Sequence, residues 1–286
     1  MEDKKLKLAI ITDIHKGPDN FTKIGSQASE LLSGFIQQVN ESDVDMVIEL
    51  GDRISDVDRE TDRKNLKAVA ALFSQLNKPR YHLLGNHDRV NLEREDNEEI
   101  LQSTMHSSYL DTGLFRLVMW RPAVKIRQGS GFPILSEDLD WLEETLSSTD
   151  KKVLIFNHVP VSGHPQFGNY YFHNNFEHST YPGYERILDL AGRHLNTCCW
   201  ISGHVHWNTY INITGIPMLT LQSLTESFTT LPDPCGGWAE VEITANRISC
   251  RINGIDPLQL HAPLIDRTTA SWHSPLGRFS EEDIKG

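Results

Sequence analysis

The sequence predicts an α/β fold organised around a mainly parallel sheet. Two observations carry that prediction. From residue 5 to residue 84, short apolar runs alternate with stretches of helical period. This β-α-β-α-β order demands parallel strands and right-handed crossovers. Five apolar runs along the chain end directly in residues that ligate metals or move protons: Asp13-Ile14-His15, Gly51-Asp52, Gly85-Asn86-His87-Asp88, Asn157-His158 and Gly203-His204-Val205-His206. Ligand-type side chains at the C-terminal ends of successive strands place one site at the edge of a sheet.

Taken in order, residues 5–12 read as a strand, wholly apolar over 8–11 as a buried strand should be. Residues 28–39 carry Leu32, Phe35, Ile36 and Val39 on one helical face. A second strand over 44–50 leads to a helix over 62–76 marked by Leu66, Val69, Ala70, Phe73 and Leu76. Pro79 stops that helix, and 80–84 is the third strand. Residues 91–102 read as an acidic surface helix, 114–120 and 124–127 as strands, and 129–133 as a turn-rich connection. Ser136 is the expected N-cap of the next helix, with Glu137 and Asp138 where the helix dipole favours anions. A strand over 152–156 and an irregular segment over 162–182 follow, and then a helix over 184–195. From Cys198 onward the texture changes to strands over 198–202, 207–213, 217–221, 238–243 and 248–252, which predicts a second sheet built largely of antiparallel strands. Residues 255–286 contain three prolines and no clear period.

Composition narrows the function. A formal net charge of −12 argues against a nucleic-acid polymer or an anionic membrane as partner, since both are held by clustered Lys and Arg. It leaves room for a small phosphorylated substrate, because bound cations reverse the local sign. No apolar run approaches the roughly 20 residues of a membrane span. The N-terminal residues lack a signal-peptide pattern, so cytoplasm is the expected location. The four cysteines show no C-x-x-C spacing and read as structural thiols.

Each ligand motif has a plain alternative when read alone. Asp13-x-His15 supplies a carboxylate and an imidazole on one turn, or else a helix cap beside a surface histidine. Asp52, Asn86 and His87 stand where turn residues are common. His158 stands before Val159-Pro160, whose proline keeps the residue ahead of it out of helix. His204 and His206 form the sharpest pair, since residues i and i+2 of a pleated strand share a face and aim both imidazoles at one cluster. Together the alternatives would need five coincidences in one order.

That ordered set resembles the calcineurin-like metallophosphoesterase superfamily, and within it the bacterial cyclic-nucleotide and glycerophosphodiester phosphodiesterase branch. The motifs span residues 13 to 206. The resemblance implies a four-layer α-β-β-α sandwich with two mixed sheets and metals at the C-terminal strand ends. It implies a metallophosphoesterase domain over 1–254, with 255–286 as a C-terminal arm of the same domain. One divalent ion would take Asp13, His15 and His206, the other Asn86, His158 and His204, with Asp52 bridging them. This donor set suits Mn, Fe, Zn, Co or Ni. The implied reaction is attack on phosphorus by a metal-bridging hydroxide. Asn86 and His87 would also touch the phosphate, with His87 assisting the leaving oxygen as electrostatic stabiliser or general acid.

Departures from related patterns narrow the branch. No tyrosine follows three residues after Asp52, unlike purple acid phosphatases, and Asp88 replaces the Glu of Ser/Thr protein phosphatases. Arg53 and Arg89 are candidate phosphate contacts, with surface arginine the preferred reading of both, and Arg53 is the substrate-contact candidate of the two. The segment 162–182, with His164 and Tyr171, either recognises substrate or serves as a subunit contact in a homo-oligomer or a surface lid. The expected activity is hydrolysis of small phosphodiesters of cyclic-nucleotide or glycerophosphodiester type. A phosphomonoesterase or nucleotidase with the same ions is the second reading, and a non-catalytic scaffold the third.

Overall fold

The computed structural model describes residues 5–269 and 276–280. In chain order its elements are β1 (Leu6–Ile11), α1 (Ala28–Glu41), β2 (Met46–Glu49), α2 (Arg59–Phe73), β3 (Arg80–His82), α3 (Arg94–Leu101), β4 (Ser108–Thr112), β5 (Phe115–Met119), α4 (Ser136–Ser147), β6 (Lys152–Asn157), α5 (Glu185–Arg193), β7 (Thr197–Ser202), β8 (Thr209–Ile213), β9 (Ile216–Thr220), β10 (Trp238–Ile243), β11 (Arg247–Asn253) and β12 (Leu258–Pro263). They form two six-stranded sheets, ordered β12-β11-β10-β1-β2-β3 and β4-β5-β6-β7-β9-β8.

The pleat explains the layering. In β1, Leu8 and Ile10 point into a core shared with Leu117, Leu154, Phe156, Ile201 and Val241, so the two sheets pack face to face. Ala9 and Ile11 point the other way, onto Leu32, Phe35 and Ile36 of α1 and Val69 and Phe73 of α2. The second sheet repeats the scheme: Val118, Val153, Ile155 and Trp200 meet Leu139 and Leu142 of α4 and Ile187 and Leu190 of α5. The result is a four-layer α-β-β-α sandwich.

Several boundaries differ from the sequence reading for identifiable reasons. The helix expected over 62–76 starts earlier because Asp58 caps it, its Oδ1 accepting the Thr61 N–H at 2.8 Å. Ser136 is the first residue of α4 instead of its cap. Residues 124–127 are not a strand. Lys125, Ile126 and Arg127 are exposed, and only Arg127 bridges, to Gly131. The edge of the second sheet is taken by β4, paired antiparallel with β5 through a tight turn. The strands after Cys198 do not build one antiparallel sheet. β7 and β9 continue the second sheet in parallel, whereas β10 pairs antiparallel with β1 and brings β11 and β12 into the first. Residues 258–263, within the stretch without a period, form the edge strand β12.

The four cysteines are buried and unpaired, and burial pushes the Cys198, Cys235 and Cys250 thiols up to about 12, which makes them inert packing groups. Among the described residues no helix is long and apolar enough to cross a membrane.

Candidate metal centre

The loops leaving β1, β2, β6 and β7, with the one after β3, meet at one edge of the sandwich. Asp13, His15, Asp52, His204 and His206 all have φ between 46° and 70°. That left-handed conformation costs a non-glycine residue about 1–2 kcal/mol, so the surroundings must over-determine it. The loops are indeed zipped together: Asp13 donates its N–H to Gly51 O at 3.0 Å, His15 to Asp52 O at 3.0 Å and Lys16 to Arg53 O at 2.9 Å. The Asp88 carboxylate collects the N–H groups of Asp52 (2.9 Å), Arg53 (2.9 Å) and Gly85 (3.0 Å). Glycine is obligatory at two points of approach. A side chain on Gly85 would strike the Asp52 carboxylate, and one on Gly203 would strike Thr12 and Asp13.

The ligand-type atoms converge as three overlapping groups. His15 Nε2 lies 2.9 Å from His206 Nε2, and Asp13 Oδ1 lies 3.7 and 3.3 Å from those two nitrogens. Across the site, His158 Nε2 lies 3.2 Å from Asn86 Oδ1 and 3.2 Å from Asp52 Oδ2. Asp52 Oδ2 is also 3.9 Å from His15 Nε2, which places this carboxylate between the groups. One atom each of Asp52, His158 and His204 falls within 4.8 Å, as do Asp13, His15 and His206, and a third set of His15, Asp52 and His87 links the two. His204 and His206 reach the site by their left-handed backbone, since β7 has ended at Ser202; they serve different groups, which the expected shared strand face does not describe.

The remaining ring nitrogens fix the orientation. His158 Nδ1 faces Leu50 O at 2.9 Å, His204 Nε2 faces His178 O at 2.8 Å, and His206 Nδ1 faces Glu226 Oε2 at 2.8 Å. Nitrogens that donate outward leave a lone pair directed inward. Asp13 Oδ2 is saturated by Thr12 Oγ1 (2.5 Å) and the His204 N–H (2.9 Å), and Asp52 Oδ1 accepts the His87 N–H at 2.8 Å. Their second oxygens, Asp13 Oδ1 and Asp52 Oδ2, are buried without a hydrogen-bond partner. Orphaned carboxylate oxygens among inward lone pairs fit divalent cations, and the mixed N/O donor set suits first-row transition ions.

Titration follows the same geometry. Burial alone would lower His158, but the Asp52 carboxylate raises it to about 9. Burial likewise opposes, and Asp13 with Glu226 outweighs it, to lift His206 to about 9. Burial and the neighbouring His158 press His204 down to about 3. Burial works to raise Asp13 and Asp52, yet the facing imidazoles, His206 first for Asp13 and His158 for Asp52, hold both well below the usual carboxylate range. Those shifts favour the protonated imidazole at His158 and His206 without metal, so each inward nitrogen gives up a proton before its lone pair can serve as a ligand. Calorimetric loading with Mn(II) in two buffers of different ionisation enthalpy should report release of about two protons at pH 7, with uptake weakening as pH falls. Heats independent of the buffer would contradict the assignment.

Other assigned residues fall out differently. His87 places its Nδ1 on the Asp56 carboxylate and its ring 4.9 Å from that of His15. Tyr171 packs edge-on to His206 at 5.5 Å, its hydroxyl 2.9 Å from Thr22 Oγ1. His164 stays in its own turn, where its Nδ1 accepts the Gln166 N–H. Arg53 is not a phosphate contact: it is fully buried beneath the site, 2.5 Å from Glu49 Oε2 and 2.9 Å from Asp88 Oδ2, with Leu83 O accepting from it. Losing this cation would remove the counter-charge shared by two buried carboxylates, Glu49 and Asp88. Arg53→Leu should cost about 3–5 kcal/mol in denaturant unfolding of the chelated protein. A loss below 1 kcal/mol would show that the pair is dispensable. Asp56 and Glu226 have no role in the sequence reading and belong to no motif; Asp88 stands in the Gly85-Asn86-His87-Asp88 run but has no separate task there.

Two stacked mixed sheets with carboxylates and imidazoles gathered at the strand ends define a class of metal-dependent hydrolases. The sequence profile of the calcineurin-like phosphoesterases matches residues 6–208, and the chain belongs to that family. Family and site together support metal-dependent phosphoester hydrolysis. No curated protein matches the chain. Among solved structures it is similar to a dimetal phosphatase from Danio rerio, with TM-score 0.73, 18% identity and coverage of 89% of this chain and 98% of that one. It is also similar to a purple acid phosphatase from yellow lupin (Lupinus luteus) seeds, with TM-score 0.67, 14% identity and coverage of 98% and 58%. At such identities the likeness is one of fold.

Proposed function

We propose that the chain is a dinuclear hydrolase of small phosphodiesters. Asp13, His15 and His206 would hold one divalent ion, Asn86, His158 and His204 the other, and Asp52 would serve both. Ions bound there supply Lewis acidity towards a phosphoryl oxygen and make a water acidic enough to react at neutral pH. The chain supplies the rest. His87, its Nδ1 fixed by Asp56, presents Nε2 as the proton source for the departing oxygen.

The observation that carries the diester reading is the burial of Arg53 among Glu49, Asp88 and Leu83. The arginine adjoining the shared ligand spends its charge inside the protein, where a dianionic monoester would need it outside. Aromatic rings also stand at the ligands: Tyr171 against His206, and Phe172 5.2 Å from His204. Apolar walls suit the ester groups of a monoanionic diester. The resemblance favours cyclic nucleotides and glycerophosphodiesters within that class. With Mn(II) supplied, kcat/KM on bis-p-nitrophenyl phosphate should exceed that on p-nitrophenyl phosphate by at least about tenfold, 1.4 kcal/mol at the barrier. A preference for the monoester would overturn the diester reading and leave the metal centre standing.

A further inference from the structure

Resting on the two-ion reading, we propose that Glu226 is a positioning residue for the ion held by Asp13, His15 and His206, and that it makes this position the tighter of the two. Glu226 lies between β9 and β10, outside the residues matched to the family, and is fully buried. Its segment is stitched beside the loop that carries Asp13. Ser223 Oγ donates to Asp13 O at 2.7 Å, Leu224 N–H to Thr12 O at 3.2 Å and Ser227 N–H to Thr22 O at 2.9 Å. Those bonds deliver the Glu226 Oε2 to 2.8 Å from His206 Nδ1.

A carboxylate only accepts, so it holds His206 as the Nδ1–H form. The other nitrogen, Nε2, then faces Asp13 Oδ1 at 3.3 Å and His15 Nε2 at 2.9 Å, and its lone pair is freed there when it gives up its proton to an ion. The second position lacks this device. His158 and His204 rest on the neutral carbonyls Leu50 O and His178 O. A full negative charge behind one imidazole raises its basicity and adds a third carboxylate beside Asp13 and Asp52 at that position alone. Glu226 also caps its own turn, with Oε1 accepting Ser227 N–H at 2.9 Å and Phe228 N–H at 3.1 Å. Its test must therefore separate the two roles.

Full-length protein stripped by chelator is titrated with Mn(II) in a calorimeter as wild type, Glu226→Gln and Ser227→Ala. Gln keeps an acceptor for the turn but removes the charge behind His206. One of two affinities should fall about 10–100-fold, as loss of such a partner typically does, with the other unchanged. Ser227→Ala removes the Ser227 Oγ bond to Thr22 O, touches no imidazole, and should bind like wild type. Equal binding by Glu226→Gln and wild type, or the same loss in Ser227→Ala, overturns the proposal. Nitrogen-15 NMR of zinc-loaded wild type should find the His206 proton on Nδ1; a proton on Nε2 overturns it however the variants behave. Wild type that takes up fewer than two ions overturns the two-ion reading itself, a result distinct from wild type and variant binding two ions alike.

Discussion

Asp52→Asn protein is expected to lose both ions and to turn over at least about 10³-fold more slowly, since Lewis-acid stabilisation of several kcal/mol disappears with them. Its carboxylate stands between the groups, with Oδ2 3.2 Å from His158 Nε2 and 3.9 Å from His15 Nε2. Asparagine keeps its one oxygen for the His87 N–H and presents an amide NH2, a donor, where the charged Oδ2 faces two imidazoles. The change therefore removes charge from both positions with little change in shape. Metal content after dialysis and kcat on a diester check it together. Two ions per chain with full turnover would show that Asp52 is not shared.

His87→Ala is expected to behave in the opposite way, keeping its ions and losing chemistry. Positioned proton transfer contributes about 10²–10⁴-fold. The loss should approach that range on alkyl diesters, whose leaving oxygen needs a proton, and shrink on p-nitrophenyl esters, whose leaving group departs as a stable anion. Asp56→Asn should show the same substrate pattern more weakly, because Asp56 acts by holding His87 Nδ1. Equal rates for wild type and His87→Ala on an alkyl diester would take the proton-donor role away from His87.

Much of the candidate ligand set was legible because it is local. A buried strand shows as an apolar run, and a chain leaving the sheet edge must turn where Asp, Asn, Gly and His are tolerated. Asp13, His15, Asp52, Asn86, His158, His204 and His206 were therefore visible as strand-end motifs. The manner of convergence was not visible. His204 and His206 were expected on one pleated face, yet left-handed backbone at both residues sends them to different groups. Arg53 adjoins Asp52 in sequence, and adjacency suggested a phosphate contact, but its side chain crosses under the site to Glu49 and Asp88. Residue spacing carries no information about which way a long side chain turns.

What the sequence determined by itself was the alternation of strand and helix, the apolar faces that stack into four layers, and the order of the ligand motifs. All of these depend on spacing over a few residues. Tertiary structure alone decided that β10 closes against β1, that β12 finds an edge, and that Asp56 and Glu226 arrive behind His87 and His206. Glu226 meets a residue 20 positions away through strands paired elsewhere, and no periodicity records such a meeting. Its partner is set by how the sheets pack, which is a property of the whole chain.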